Sequence, residues 1–161
     1  MLRSIRPATV AAMSVAALML AGCATLRVNA YVERGADFTQ YRSYAWAERG
    51  AFATGDPRLD NNRFFSQRVE EAVDMQLSAR GFEKANHATA DLLIHIHARM
   101  EQRIDAGTLL VDFMDRRTNR LAWRGWAERS FDGVIENQEW MEATIDETVA
   151  RILAQLPRKP L

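Results

Sequence analysis

Two histidines stand two residues apart in residues 91–100 (DLLIHIHARM). On an extended strand, side chains at i and i+2 leave the same face, so His95 and His97 can approach one metal ion. His87 or a nearby carboxylate would supply a third ligand. Two imidazoles do not close a site, because zinc centres use about three or four protein ligands. Polar groups on the wet face of a strand also need no role beyond solvation. Asp112 and Asp115 form a second candidate, since a carboxylate pair does acid–base work when its environments split the two pKa values. Here Asp112 sits on the expected wet face and Asp115 opens a turn, with no orienting partner in view. Arg124 and Trp126 form a third: an exposed Trp beside an Arg is the usual composition of a contact hot spot. Cover from the loop at residues 47–60 would explain Trp126 equally well. Trp123 and Trp140 fit apolar stripes and are expected in the core.

No Gly-x-Ser-x-Gly elbow and no phosphate-cradling glycine loop is present. An enzyme is therefore not expected, and no cofactor is implied. The chain has 21 basic and 21 acidic residues. That balance argues against nucleic acid as a partner, which calls for a basic excess.

The N-terminus carries an address. Arg3 and Arg6 precede an apolar run at residues 10–20, broken only by Ser14, and small residues follow. A basic start, a short apolar core and a small-residue cleavage site make a secretory signal. The apolar run is shorter than the roughly 20 residues that span a bilayer. Leu20-Ala21-Gly22-Cys23 resembles the lipobox of bacterial lipoproteins. The resemblance implies cleavage before Cys23, a diacylglycerol on its sulfur and an acylated amine. Cys23 is the single cysteine of the chain, which fits a sulfur consumed by lipid in an oxidising compartment where free thiols are a liability. Ala24, where inner-membrane lipoproteins carry Asp, implies the outer membrane, facing the periplasm. The expected organisation is a signal at residues 1–22, a lipidated tether at 23–26, one domain at 27–157 and a frayed tail at 158–161. Without the signal, 139 residues remain with 19 basic and 21 acidic side chains, a formal charge of −2.

Those side chains must be positioned by a small set of elements. Residues 27–32 and 43–47 read as strands, and 47–60, with Gly50, Gly55 and Pro57, as a long loop. Residues 61–80 form the clearest helix: Phe65, Val69, Val73 and Leu77 recur every four residues, beside Phe64 and Ala72. Asp60 or Asn61 is placed to cap it, and Gly81 to close it. Residues 91–100, 108–114 and 120–131 alternate with period two and are joined by short polar segments, which predicts an antiparallel meander. A last helix spans 137–156, with Trp140, Ile145, Thr148, Val149, Ile152 and Leu156 on its apolar stripe. The expected fold is α+β: a largely antiparallel sheet of about five strands with two amphipathic helices on one face. The other face would carry His95, His97, Arg99, Asp112, Arg124, Trp126 and Glu128.

Several phrases stand in a fixed order: Ala36-Asp37-Phe38 with Val32 and Tyr41, Ser43-Tyr44-Ala45-Trp46, Val69 to Gly81-Phe82, Ala90-Asp91-Leu92-Leu93-Ile94, Gly107-Thr108-Leu109-Leu110-Val111-Asp112, and Leu121-Ala122-Trp123-Arg124-Gly125. Together they resemble the bacterial lipoproteins of the domain-of-unknown-function 4136 family. The resemblance implies a periplasm-facing α+β lipoprotein and transfers no catalytic residue. The expected function is a non-enzymatic binding or accessory domain of the cell envelope, held to the membrane by lipid and meeting an envelope protein. Metal binding at His95 and His97, or an envelope enzyme without a familiar motif, are the alternatives.

Overall fold

The computed structural model describes residues 26–47, 54–60, 62–101, 106–131 and 133–157. The signal segment, Cys23, residues 48–53 of the expected loop, Asn61, Asp105 and the 158–161 tail lie outside them.

Among the described residues nine elements follow in the order β1 (Arg27–Val32), β2 (Ser43–Trp46), α1 (Pro57–Asp60), α2 (Arg63–Ala79), β3 (Glu83–Lys84), β4 (Leu92–Glu101), β5 (Ala106–Asp115), β6 (Arg120–Ser130) and α3 (Gln138–Leu153). One sheet holds all six strands in the order β1-β6-β5-β4-β2-β3. The meander β4–β5–β6 is antiparallel as its alternation requires, and β1 adds to β6 antiparallel.

The sheet and the number of helices differ from expectation. The sheet is mixed, with six strands rather than five, because β2 runs parallel to both β3 and β4. The chain leaves β2, passes through α2 and returns as β4 in the same direction, the crossover that a parallel pair needs. β3 has only two residues, too few to show a period. Among the described residues there are also three helices, since the expected loop contains α1, one turn long. Pro57 opens it, where a missing N–H costs nothing, and Asp56 accepts the N–H of Arg58 at 2.9 Å.

The helices begin and end for local reasons. Asn62, not Asp60 or Asn61, caps α2 by accepting the Phe65 N–H at 3.1 Å. Gly81 follows Arg80 at φ +74°, a conformation that closes helices and favours glycine. Asn137 caps α3 through the Trp140 N–H at 2.9 Å. The α3 stripe is Met141, Thr144, Ile145, Thr148, Val149, Ile152 and Leu153. Trp140 was expected on it and is instead 58% exposed. It lies one residue, and so about 100° of helix rotation, before Met141, which takes the inward position. No helix among the described residues is long and apolar enough to cross a membrane.

Both long helices cover one sheet face. Phe65, Val69, Val73 and Leu77 of α2 and Ile145, Val149 and Ile152 of α3 share a core with Ile94, Val111, Phe113 and Trp123. Tyr44 and Trp46 reach from β2 to Asp74 of α2, at 2.8 and 3.1 Å.

Asp91 fastens the parallel strand. One carboxylate oxygen accepts the N–H groups of Arg42 and Ser43 at 2.8 and 2.9 Å and the Ser43 hydroxyl at 3.0 Å. Partial burial pushes its pKa up, but these bonds outweigh it and hold the carboxyl below its ordinary 3.8. A lowered carboxylate stabilises the fold above the unfolded value, and that stability is lost as pH falls through the folded value. Acid unfolding followed by circular dichroism should therefore steepen below pH 3.8, and Asp91→Asn should flatten the curve there.

Gly125 has no room for a side chain. A Cβ there would stand 2.2 Å from the Trp123 ring and 2.7 Å from Ile152 Cγ2. Gly125→Ala should cost about 1–3 kcal/mol through overpacking. Denaturant unfolding that leaves the midpoint unchanged would refute this.

Candidate functional site

The face of the sheet turned away from the helices carries the expected polar set in cross-strand rows. His95 pairs with Asp112 and Asp112 with Arg124, which pairs with Tyr31 of β1. In the next row His97, Leu110, Trp126 and Asn29 stand side by side, and Arg99, Thr108, Glu128 and Arg27 follow. Period-two alternation puts them here, because Val111, Phe113 and Trp123 must face the core.

Asp112 anchors this surface. Arg124 grips it through Nε and Nη2, both at 2.6 Å. The Asp112 side chain is only 7% exposed although it points away from the helices. The bidentate bond raises the pKa of Arg124. His97 Nε2 lies 3.8 Å from the same carboxylate. Around this pair stand half-buried Trp126, Leu110, Leu93 and Met114 and the exposed Tyr31. The surface is thus a fixed ion pair ringed by apolar and aromatic groups.

His95 and His97 do share this face. Burial, then the charge of His97, lowers the pKa of His95, with a smaller contribution from His87. The charge of Asp112 opposes this shift without cancelling it. Asp112, the nearest carboxylate, already spends both oxygens on Arg124. Among the described residues no three His, Cys, Asp or Glu side chains gather as a metal site. Asp115 is not brought to Asp112 as a pair. It starts the β5–β6 turn, accepting the Thr118 N–H at 2.9 Å and the Tyr41 hydroxyl at 2.9 Å.

A second feature escapes the sequence reading. A cavity of about 450 Å³ opens at the end of the sheet where the β1–β2 loop meets the β5–β6 turn. Arg34, Arg116, Arg117 and Arg120 line it, with Tyr41 and Leu121 among the less polar groups. Burial, reinforced by the bond to Asp115, pushes the Tyr41 hydroxyl up to about 12, so it remains a hydrogen-bond donor at neutral pH. The signal available in sequence was the arginine density of residues 115–120 (DRRTNR). It reads as turn chemistry until the β1–β2 loop is folded against it.

The structure resembles solved proteins of low sequence identity. The PelC dodecamer from Paraburkholderia phytofirmans matches at a TM-score of 0.55 and 12% identity, over 84% of this chain and all of that one. A DUF4136 family protein from Bacteroides thetaiotaomicron matches at 0.55 and 10% identity, over 76% of this chain and 93% of that one. A PDZ domain protein from Parabacteroides distasonis matches at 0.53 and 14%, over 83% of this chain and 37% of that one. These likenesses concern the fold. No curated protein matches the sequence. The model of the family described as domain of unknown function (DUF4136) matches residues 28–158, and the chain belongs to that family.

Proposed function

We propose that this protein is a lipid-anchored accessory domain of the outer membrane, facing the periplasm, that works by protein contact rather than by catalysis. The observation that carries the contact reading is the sheet face turned away from the helices, where Trp126 and Tyr31 flank the Asp112–Arg124 pair. Fixed aromatic groups around a bound arginine have the composition of an interface centre. The lipid reading rests on the signal architecture ending at Cys23.

The tether is short. Four residue steps separate Cys23 from Arg27, a reach of at most about 14 Å. β1 then rises about 3.3 Å per residue away from that point. With the lipid on Cys23, the sheet end holding Arg27 and Glu128 faces the membrane, and the β5–β6 turn faces the periplasm. The sheet face stands sideways, open to a neighbour in the membrane plane.

A second copy of the chain is the first partner to test, because the structural neighbour from Paraburkholderia is described as a dodecamer. Sedimentation of the detergent-solubilised full chain, together with crosslinking in cells, makes the measurement. The expected result is a discrete assembly that Trp126→Ala or Arg124→Ala weakens at least about tenfold, as loss of a hot-spot residue does. The reading of this face is refuted by a monomer with no crosslinked envelope protein, or by contacts that survive both changes. The anchor has its own check: the wild type should fractionate with outer membranes and carry acyl mass, and Cys23→Ser should lose both. Recovery of the wild type in the soluble periplasmic fraction would sink it.

A further inference from the structure

We infer that the cavity between the β1–β2 loop and the β5–β6 turn is a binding site for a soluble anion bearing a phosphate or clustered carboxylates. The inference does not depend on the membrane anchor or on the sheet-face contact. The volume, about 450 Å³, falls in the range of small-molecule sites, about 300–1,000 Å³.

The lining decides the sign of the ligand. Glu33, Asp37, Asp91 and Asp115 balance the four arginines in formal charge, so net charge alone is silent. Their bonding is not balanced. Asp91 accepts three bonds from Arg42 and Ser43. Asp115 is held by Tyr41 and Thr118. Asp37 is held by Thr39 and Gln40. Glu33 takes the Tyr31 hydroxyl on one oxygen, at 2.7 Å, and Arg120 on the other, at 3.4 Å. The acids are thus occupied by bonds within and between the loops that wall the cavity.

The cations are occupied less. Arg116 donates from Nε to the Ala90 carbonyl, and its charge acts on Asp91, which is already bonded to Arg42 and Ser43. Among the described residues Arg120 has only the long contact to Glu33. The guanidiniums of Arg34 and Arg117 make no hydrogen bond or ion pair among the described residues, and both side chains are exposed. A ligand entering here meets spare donors and few spare acceptors. Guanidinium forks match phosphate and carboxylate oxygens, and charge-assisted bonds of that kind are about twice as strong as neutral ones.

The test is calorimetric titration of the full chain in neutral detergent with citrate and with inorganic phosphate. It is run at about 0.01 M and about 0.15 M ionic strength, between which the screening length falls from about 30 to about 8 Å. One saturable site per chain is expected, weaker at the higher salt. The double variant Arg34→Gln/Arg117→Gln should weaken it at least about tenfold, by loss of charge-assisted bonds. The control pair Arg63→Gln/Arg151→Gln, exposed on the helices, should leave it unchanged. Melting curves of both variants verify that the fold is intact. If the double variant melts early, the single variants Arg34→Gln and Arg117→Gln carry the same comparison. Absence of saturation with both anions overturns the inference. So does equal binding by the arginine variants, or equal loss in the control pair.

Discussion

The indole of Trp123 fills the space in which a side chain at position 125 would stand, and much of the molecule follows from that. The ring is bounded by Phe113, 5.1 Å away between centroids, and by Ile152 of α3. Burying so large a ring contributes roughly 4–6 kcal/mol by area. Its Nε1 finds no partner, at a cost of about 1–3 kcal/mol, so the balance favours burial. With Trp123 fixed inward, strand alternation leaves Arg124 and Trp126 no choice but the other face. A slip of one residue would bury an arginine and expose the core. The pairing of β5 and β6 shifts between Phe113 and Met114. A bulge of this kind bends the strand and re-aims what comes after it, here the turn that borders the cavity.

What could be read in sequence was what repeats. The meander strands, the α2 stripe from Phe65 to Leu77 and the polar face around His95 and Arg124 each show a period over many residues. The features that escaped are short or depend on neighbours. β3 is two residues long and exists because β2 offers an edge. The parallel direction of β2 depends on where α2 delivers the chain, which no local pattern states. Trp140 was misplaced for a subtler reason: it is apolar and adjacent to the stripe, and composition alone cannot separate two phases about 100° apart. Capping geometry settles it, because α3 begins at Gln138 and Met141 takes the inward position.

The candidate site divides in the same way. The sheet face was legible because alternation alone assigns its residues. The cavity was not, because its walls come from distant parts of the chain. Tyr41 and Asp115, which hold the two walls together, are 74 residues apart. Only the order of strands, with β1 beside β6 and β2 beside β4, brings the β1–β2 loop over the β5–β6 turn.

Two arginine arrangements on one sheet now differ in a way that matters for function. Arg124 is spent: its fork is closed on Asp112, its position is set, and an incoming group meets a neutralised pair with aromatic neighbours. A surface of that kind recognises shape and apolar area, which suits a protein. Arg34 and Arg117 are unspent among the described residues, at the end of the sheet rather than on its face, beside carboxylates already bonded within and across the cavity walls. A surface of that kind recognises charge, which suits an anion. Because the cavity opens past the strand ends, a partner lying flat on the sheet face need not close it, and one small domain has room for both.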